Sequence, residues 1–189
     1  MPIKMPDMPQ RPTKDDLRRA AGRTVPDIIA PGLTILFCGI NPGLYSAATG
    51  HHFARPGNRF WPALHRSGFT PRLLTPDEER EVLSLGYGMT MIVRRGTATA
   101  AELSREELRA GARSLVRKVR RFKPRVLAVL GVGAYRAAFD RPAARLGLQP
   151  ERIGETAIWL LPNPSGLNAS YQLADVTRLL RELRQHLRG

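Results

Sequence analysis

Residues 36–46 read LFCGINPGLYS, and this stretch changes character in its middle. Its first half is apolar enough for a buried strand, whereas its second half places an asparagine and a proline between two glycines. A plain strand-to-loop turn accounts for part of the pattern, because Gly39 and Gly43 can supply positive φ. Pro42 also pushes Asn41 toward an extended conformation. The stretch alone leaves two alternatives open, an ordinary turn and a polar site built at a strand end.

Apolar runs that alternate with helical patterns surround this stretch and indicate an α/β fold. The runs that we interpret as buried strands are residues 33–38, 89–93, 125–130 and 157–161. The helical patterns cover residues 58–67, 77–85, 104–122, 133–139 and 172–188. Because strands that are apolar throughout are typical of parallel sheets, we predict a mainly parallel sheet with helices on both faces.

The helix predicted over residues 104–122 carries much of the positive charge. Ser104 and Glu107 form a capping box at its start, and apolar residues then recur at helical spacing. Arginines cover much of its remaining surface, which we interpret as a solvated face. Over the whole chain 30 Lys and Arg stand against 16 Asp and Glu, a net charge of +14. This excess favours an anionic partner, first of all nucleic acid, although a generally arginine-rich proteome would produce it too.

Several kinds of site and location are not supported by the sequence. The single cysteine, Cys38, allows neither an intramolecular disulfide nor a cysteine-based metal cluster. The four histidines have no metal-binding spacing, so we expect no metal and no cofactor. No stretch is long and apolar enough for a membrane span, and the N-terminus lacks the apolar core of a signal peptide. We therefore expect a monomer in the cytoplasm, associated with the nucleoid.

The N-terminal residues differ in composition from the rest of the chain. Residues 1–13 carry four prolines among polar residues, and Thr13 is placed to cap a short helix from about residue 14 to residue 22. We predict a basic, disordered arm over residues 1–25 and a single α/β domain over residues 26–189.

Two of the predicted strands end in related motifs. CGINPGL at residues 38–44 and LPNPSGL at residues 161–167 each present an Asn-Pro step followed by glycine and leucine. Ligands of parallel α/β sheets bind outside the carboxyl ends of the strands. Asn41 and Asn163 are therefore expected at adjacent strand ends, converging on one pocket.

These motifs, with HHFARPGNRFW at residues 51–61 and GMT at residues 88–90, resemble the mismatch-specific uracil-DNA glycosylase family, the bacterial relatives of thymine-DNA glycosylase. The similarity runs from about Asp27 to the C-terminal helix. It implies a three-layer α/β/α sandwich around a short, mainly parallel sheet. It also implies removal of uracil, and of other modified pyrimidines, that is paired with guanine in double-stranded DNA. In such an enzyme the target base is flipped out of the duplex and its glycosidic bond is hydrolysed.

The matching motifs imply a role for individual residues of the base pocket. Asn41 would position the hydrolytic water, and Ile40 with the Gly43 backbone would line the base pocket. Phe53 would stack on the flipped base, although a phenylalanine is more often part of the core. Asn163 would bind the base by hydrogen bonds.

Three further residues match the element that enters the duplex where the base has left. Gly166, Leu167 and Asn168 would form this wedge, since an apolar side chain on a glycine-bearing loop suits the task. A leucine folded back onto the core is the alternative for Leu167.

The residue types constrain the chemistry that the resemblance implies. A carboxamide stays neutral, so Asn41 cannot be a strong base but can hold a water near C1′ through its carbonyl oxygen. Asp27 and Asp77 have no spacing like the paired acids of sugar hydrolases. We therefore expect a slow, dissociative hydrolysis that depends on positioning and on stabilisation of the leaving base. Where the related uracil-specific family carries tyrosine, Gly43 leaves room for a C5 substituent, so a broad range of pyrimidines is expected.

Two positions depart from the pattern of the family. Met91, a candidate residue of the base pocket, follows the GMT motif where relatives commonly carry a polar residue such as Asp, Asn or Lys. If that polar side chain contributes to catalysis or base binding, this chain lacks the contribution. Ala169 stands where close bacterial relatives place an arginine of the wedge loop, which predicts weaker contacts to the orphaned guanine.

Two other functions remain alternatives at this point. A non-catalytic DNA- or RNA-binding domain on the same fold would have the same charge and an inert pocket. A hydrolase of free nucleosides or nucleotides would share the pocket, but it would need neither a wedge nor a net charge of +14.

Overall fold

The computed structural model describes residues 11–188, and a single mixed sheet lies at the centre of this part of the chain. Its strands are β1 Ile35–Gly39, β2 Tyr87–Met91, β3 Val126–Leu130, β4 Gly147–Ile153 and β5 Thr156–Leu161. They lie in the order β2-β1-β3-β5-β4, and only β4 is antiparallel to its neighbour within the described residues. The mainly parallel sheet predicted from the apolar runs is confirmed.

Helices lie between the strands along most of the chain. They are α1 Lys14–Arg19, α2 Leu44–Thr49, α3 Phe60–Arg66, α4 Arg105–Phe122, α5 Val132–Phe139 and α6 Leu173–His186. Two 3₁₀-helices cover Pro76–Leu85 and Ala100–Glu102. No helix among residues 11–188 is both long and apolar enough to cross a membrane.

The sheet is covered on both faces, as the alternation of side chains along β1 shows. Ile35 and Phe37 belong to one apolar core, which also contains buried residues of α3 and α6. Leu36 and Cys38 point to the other face and belong to a second core with buried residues of α4 and α5. Since successive side chains of a strand point to opposite faces, both cores are continuous with the sheet. The three-layer α/β/α architecture implied by the resemblance is confirmed.

Helix α4 forms as the sequence predicts. Ser104 Oγ accepts from the Glu107 amide at 3.1 Å, and Glu107 Oε2 accepts from the Ser104 amide at 2.9 Å, which completes the capping box. Its basic residues are mostly exposed, but Lys118 differs. The Lys118 ammonium pairs with Asp27 and donates to Thr90 Oγ1 at 2.7 Å, so this part of the face binds the start of the domain instead of solvent.

Strand β4 was not predicted. Its sequence GLQPERI begins with glycine and contains Pro150, and its residues alternate between exposed and buried instead of forming an apolar run. Because β4 lies at the edge of the sheet, a proline is tolerated there and one face can remain polar. The 77–85 helix is also different in detail, since Pro76–Leu85 is a 3₁₀-helix.

The predicted arm over residues 1–25 overlaps with ordered structure. Thr13 caps α1 as predicted, and α1 packs against α2. Ala20 is fully buried, and the Gly22 amide donates to the Gly96 carbonyl at 2.9 Å. Residues 13–23 are therefore attached to the domain by packing and hydrogen bonds, which corrects the boundary placed at residue 25. The part of the arm at residues 1–10 lies outside the described residues, so the disorder predicted there stays a prediction.

Candidate active site

A cavity of about 410 Å³ lies at the carboxyl ends of the parallel strands. Loops after β1, β2 and β5 form its walls, together with the segment between α2 and α3. The predicted site residues that line it are Ile40, Asn41, Gly43, Phe53, Met91, Asn163, Leu167 and Asn168. Gly166 is not among the lining residues. The expectation that β1 and β5 are adjacent was wrong, since β3 lies between them, but both asparagines still reach the same cavity.

The side-chain amide of Asn41 is held in one orientation. Its Nδ2 donates to the Arg95 carbonyl at 3.0 Å and to Thr97 Oγ1 at 2.6 Å, with a longer contact to the Pro42 carbonyl at 3.3 Å. Thr97 Oγ1 uses its only proton to donate to the Thr99 carbonyl at 2.8 Å, so it accepts from Asn41. Every group around Nδ2 is thus an acceptor, and the carbonyl oxygen Oδ1 is directed away from them.

The loop that holds Asn41 is itself anchored to the start of α4. Arg95 Nη2 donates to Glu107 Oε2 at 3.1 Å, and the Arg95 Nε–Glu107 Oε1 contact makes the pair bidentate. The hydrogen bond from Arg95, followed by that from the Ser104 amide, lowers the pKa of Glu107 to about 2. Glu107 is therefore ionised at neutral pH, and the pair fixes the backbone that accepts from Asn41.

The two glycines of GINPG do not have the positive φ that a turn would use. Neither Gly39 nor Gly43 has positive φ, which corrects the turn argument. Gly39 lies at a close approach, because a Cβ atom there would lie 2.5 Å from Met91 Sδ and the Met91 side chain would have to move. A Cβ atom on Gly43 would meet nothing within 4 Å, so Gly43 leaves open space at the cavity wall.

Phe53 belongs to the core and to the cavity at the same time. Its ring stacks on Phe60 with centroids 4.1 Å apart, and only 8% of the residue is exposed. Its φ of 53° lies in the left-handed region, which is costly for a residue with a large side chain. The small part of Phe53 that stays exposed lines the cavity. Phe53 is thus a core residue that also lines the cavity, and its stacking on a flipped base stays a prediction.

Asn163 and the loop after it form the opposite wall. Asn163 Oδ1 accepts from the Ser165 amide at 3.0 Å, and the Asn163 carbonyl accepts from Asn168 Nδ2 at 2.9 Å. The Asn163 amide nitrogen makes no hydrogen bond with the described residues, so it presents its protons as donors. Leu167 is 66% exposed, which excludes a leucine packed in the core. We call residues 164–169 the wedge loop.

The lining contains no Asp, Glu or Lys among the residues that the structure describes. Arg55 is its one formally charged residue in that part of the chain, and Met91 forms an apolar part of the wall. Asp27 is engaged with Lys118 instead of facing the cavity. The polar groups that line the cavity are therefore mainly neutral amides, hydroxyls and backbone groups.

The comparison with protein families agrees with this geometry. A model of the uracil DNA glycosylase superfamily matches residues 26–188. The chain belongs to the uracil DNA glycosylase superfamily. Members of this superfamily are hydrolytic glycosylases that act on DNA. The fold also matches the solution NMR structure of a candidate uracil DNA glycosylase from Methanosarcina acetivorans, with a TM-score of 0.60 and 18% sequence identity. That match covers 89% of this chain and 99% of the other.

In this glycosylase the segment that precedes the strained Phe53 is held by a buried carboxylate. Glu79, from the 3₁₀-helix, accepts from the His52 amide at 2.7 Å and contacts His52 Nδ1 at 3.1 Å and His51 Nδ1 at 2.9 Å. Trp61 Nε1 donates to the His52 carbonyl at 3.1 Å. Burial raises the pKa of Glu79, but the hydrogen bonds from His52 and His51 outweigh it, so the pKa lies below its usual value.

Three parts of the site of this glycosylase were not found from the sequence. Thr97 and Arg95 orient Asn41, and Glu79 holds the segment that carries Phe53. Thr97 lies in a loop of small residues without a motif of its own. The adjacent histidines were visible, but the carboxylate that they contact is 27 residues or more away along the chain. Only the folded arrangement brings these groups together.

Proposed function

We propose that this glycosylase hydrolyses the N-glycosidic bond of uracil, and of other modified pyrimidines, mispaired with guanine in duplex DNA. The observation that carries the proposal is the fixed amide of Asn41. Because Nδ2 is occupied by three acceptors, Oδ1 is the atom left to bind a water in the cavity. Because the lining contains no carboxylate from residues 11–188, this neutral oxygen is the group best placed to hold the nucleophile.

The flipped base would be bound by groups that surround the cavity. One face of the Phe53 ring is stacked on Phe60, and the ring would offer its other face to the base, since stacking on an aromatic side chain suits any base. The Asn163 amide donates to a carbonyl oxygen of the pyrimidine. Ile40 and the Gly43 backbone complete the wall. A cavity of about 410 Å³ is large enough for a pyrimidine with its sugar.

The reaction that fits these groups is dissociative. The bond between C1′ and N1 breaks, and its electron pair leaves with the uracil ring as an anion. The sugar cation takes up the oxygen of the water held by Asn41, and the released proton passes to solvent. Amide and backbone donors stabilise the departing anion without a change of protonation state. Because no lysine lines the cavity among the described residues, an amine-linked intermediate is not expected, and the enzyme is monofunctional.

The open wall explains why a broad range of substrates is proposed. The space next to Gly43 admits a group at C5 of the ring. A difference of one methyl group is worth only about 1 to 3 kcal/mol in an apolar pocket, so an open pocket rejects few pyrimidines. Met91 adds an apolar part to the wall, so selection among bases would depend on Asn163 and on the mismatch. A pyrimidine that is mispaired with guanine is held less strongly than one in a Watson–Crick pair, which lowers the cost of flipping it.

The wedge loop is proposed to enter the duplex. Leu167 is 66% exposed at the mouth of the cavity, and an apolar side chain can occupy the gap left by a flipped base. Asn168 lines the cavity beside it. The net charge of +14 would then contribute binding to phosphates.

Single-turnover base release from a U·G duplex tests this proposal. The same lesion in U·A duplex, thymine and ethenocytosine opposite guanine, and free deoxyuridine complete the substrate panel. We expect release from U·G duplex and none from free deoxyuridine. Duplex binding without any base release would support a non-catalytic nucleic-acid-binding domain, and release from the free nucleoside would support a small-molecule hydrolase.

A further inference from the structure

We propose that Arg59 is a positioning residue that holds the wedge loop in the shape needed to enter DNA. The inference rests on the proposed function. Arg59 precedes α3 and lies in the segment that also carries Phe53. Its Nη1 donates to the Ser165 carbonyl at 2.9 Å and to the Asn168 carbonyl at 2.8 Å. Its backbone amide donates to the Pro164 carbonyl at 2.8 Å.

The second guanidinium nitrogen extends the same set of contacts. Arg59 Nη2 donates to Gln172 Oε1 at 3.0 Å, with a longer contact to the Gly166 carbonyl at 3.5 Å. Four carbonyl groups of the wedge loop thus converge on one residue that is more than 100 positions away along the chain. The carbonyl of Leu167 is not one of them, and the Leu167 side chain remains exposed.

The charge of Arg59 is used in an unusual way. All of its side-chain hydrogen bonds with residues 11–188 go to neutral oxygens, and none goes to a carboxylate. A guanidinium group has a planar, rigid set of donors, so it can bind several carbonyls whose directions differ. A lysine keeps the charge but is a compact point charge that cannot reproduce this geometry.

The backbone next to Arg59 also contacts the wedge loop directly. A Cβ atom on Gly166 would lie 2.7 Å from the Gly57 carbonyl oxygen, so the loop rests on this segment without space for a side chain. Gly166 therefore has a structural reason to be glycine although it does not line the cavity. Because the loop is held before DNA binds, less ordering remains to be done when Leu167 enters the duplex.

The experiment compares Arg59→Lys with the wild-type enzyme on two substrates. One is a U·G duplex, and the other is the same duplex with uracil in the centre of a bubble of unpaired bases, where a wedge is dispensable. Arg59→Lys removes the guanidinium donors that bind the wedge loop. It should slow single-turnover release from the paired duplex by about tenfold or more and leave the rate on the bubble substrate within about twofold of wild type. Arg66→Lys is the matched control, because Arg66 is exposed at the other end of α3.

A second perturbation acts on the same contact from the other side. Gly166→Ala pushes the loop away from Gly57 and should change the ratio of the two rates in the same direction as Arg59→Lys. It decides the matter if Arg59→Lys does not fold. If the variants release uracil but keep the wild-type ratio of duplex rate to bubble rate, whether both rates fall equally or neither falls, the role of Arg59 is overturned and the proposed function is not. A wild-type enzyme without release from either substrate would overturn the proposed function and this inference with it.

Discussion

Thr97→Val tests how the Asn41 amide is fixed. Valine has nearly the shape of threonine but lacks the hydroxyl that accepts from Asn41 Nδ2 at 2.6 Å and donates to the Thr99 carbonyl at 2.8 Å. Thr97 is 2% exposed, so water cannot easily replace the lost hydroxyl. The Arg95 and Pro42 carbonyls remain as acceptors, and the amide is loosened instead of released.

The size of the effect follows from one lost hydrogen bond in a buried setting. Such a loss costs about 1 to 2 kcal/mol when a polar group is left without its partner. If this energy is needed to hold Oδ1 where the water binds, the single-turnover rate falls about 5- to 30-fold at about 1.4 kcal/mol per factor of ten. Affinity for the duplex should be unchanged, because the hydroxyl orients the group that holds the attacking water and does not contribute to DNA binding.

The assay is single-turnover release of uracil from a U·G duplex, with duplex affinity measured in parallel. Thr97→Ser should retain most of the rate because it keeps the hydroxyl. Thr49→Val is the control, since the Thr49 hydroxyl bonds within α2 to the Tyr45 carbonyl at 3.0 Å. In an Asn41→Ala background, Thr97→Val should have no further effect, because the two residues act as a unit. A wild-type rate in Thr97→Val, or a full additional loss in the double variant, would refute the reasoning.

Three further predictions concern the pocket, its support and the wedge. Gly43→Tyr should fill the open wall and slow release of thymine at least about tenfold more than release of uracil, which equal slowing of the two bases would contradict. Glu79→Gln should lower the free energy of unfolding by about 2 kcal/mol. Because the pKa of Glu79 is lowered in the folded state, its contribution is present above the ordinary glutamate pKa and lost as pH falls through the lowered value. Denaturant unfolding should therefore show the gap between wild type and Glu79→Gln narrowing on acidification, and a constant gap would refute this. Leu167→Ala should slow release from duplex far more than from single-stranded DNA with an unchanged melting temperature, whereas equal slowing would remove Leu167 from the site.

Local sequence patterns were sufficient where local physics decides the structure. The capping box of Ser104 and the apolar spacing after it predicted α4, and the apolar runs predicted the parallel strands. Both asparagines could be placed at one edge of the sheet because parallel strands end on the same side. The edge strand β4 was not predicted, because its residues bury only one face and so form no continuous apolar run.

The parts of the site that were missed depend on contacts between distant segments. The Nη1 contacts of Arg59 to the wedge loop span 106 and 109 positions, and the contact from Asn41 to Thr97 spans 56. No periodicity or spacing within a short window records such pairs. The left-handed backbone of Phe53 could not be predicted for another reason. Tertiary hydrogen bonds impose this conformation on a residue whose own preference is different.

Asn41→Ala provides the most direct test of the central claim, that a neutral amide oxygen holds the water that attacks the sugar. Single-turnover release of uracil from a U·G duplex and affinity for the same duplex should be measured on this variant and on the wild type. The expected result is a loss of release by about a hundredfold or more with duplex affinity nearly unchanged, because positioning of the nucleophile acts on the transition state. Release at the wild-type rate would contradict the account.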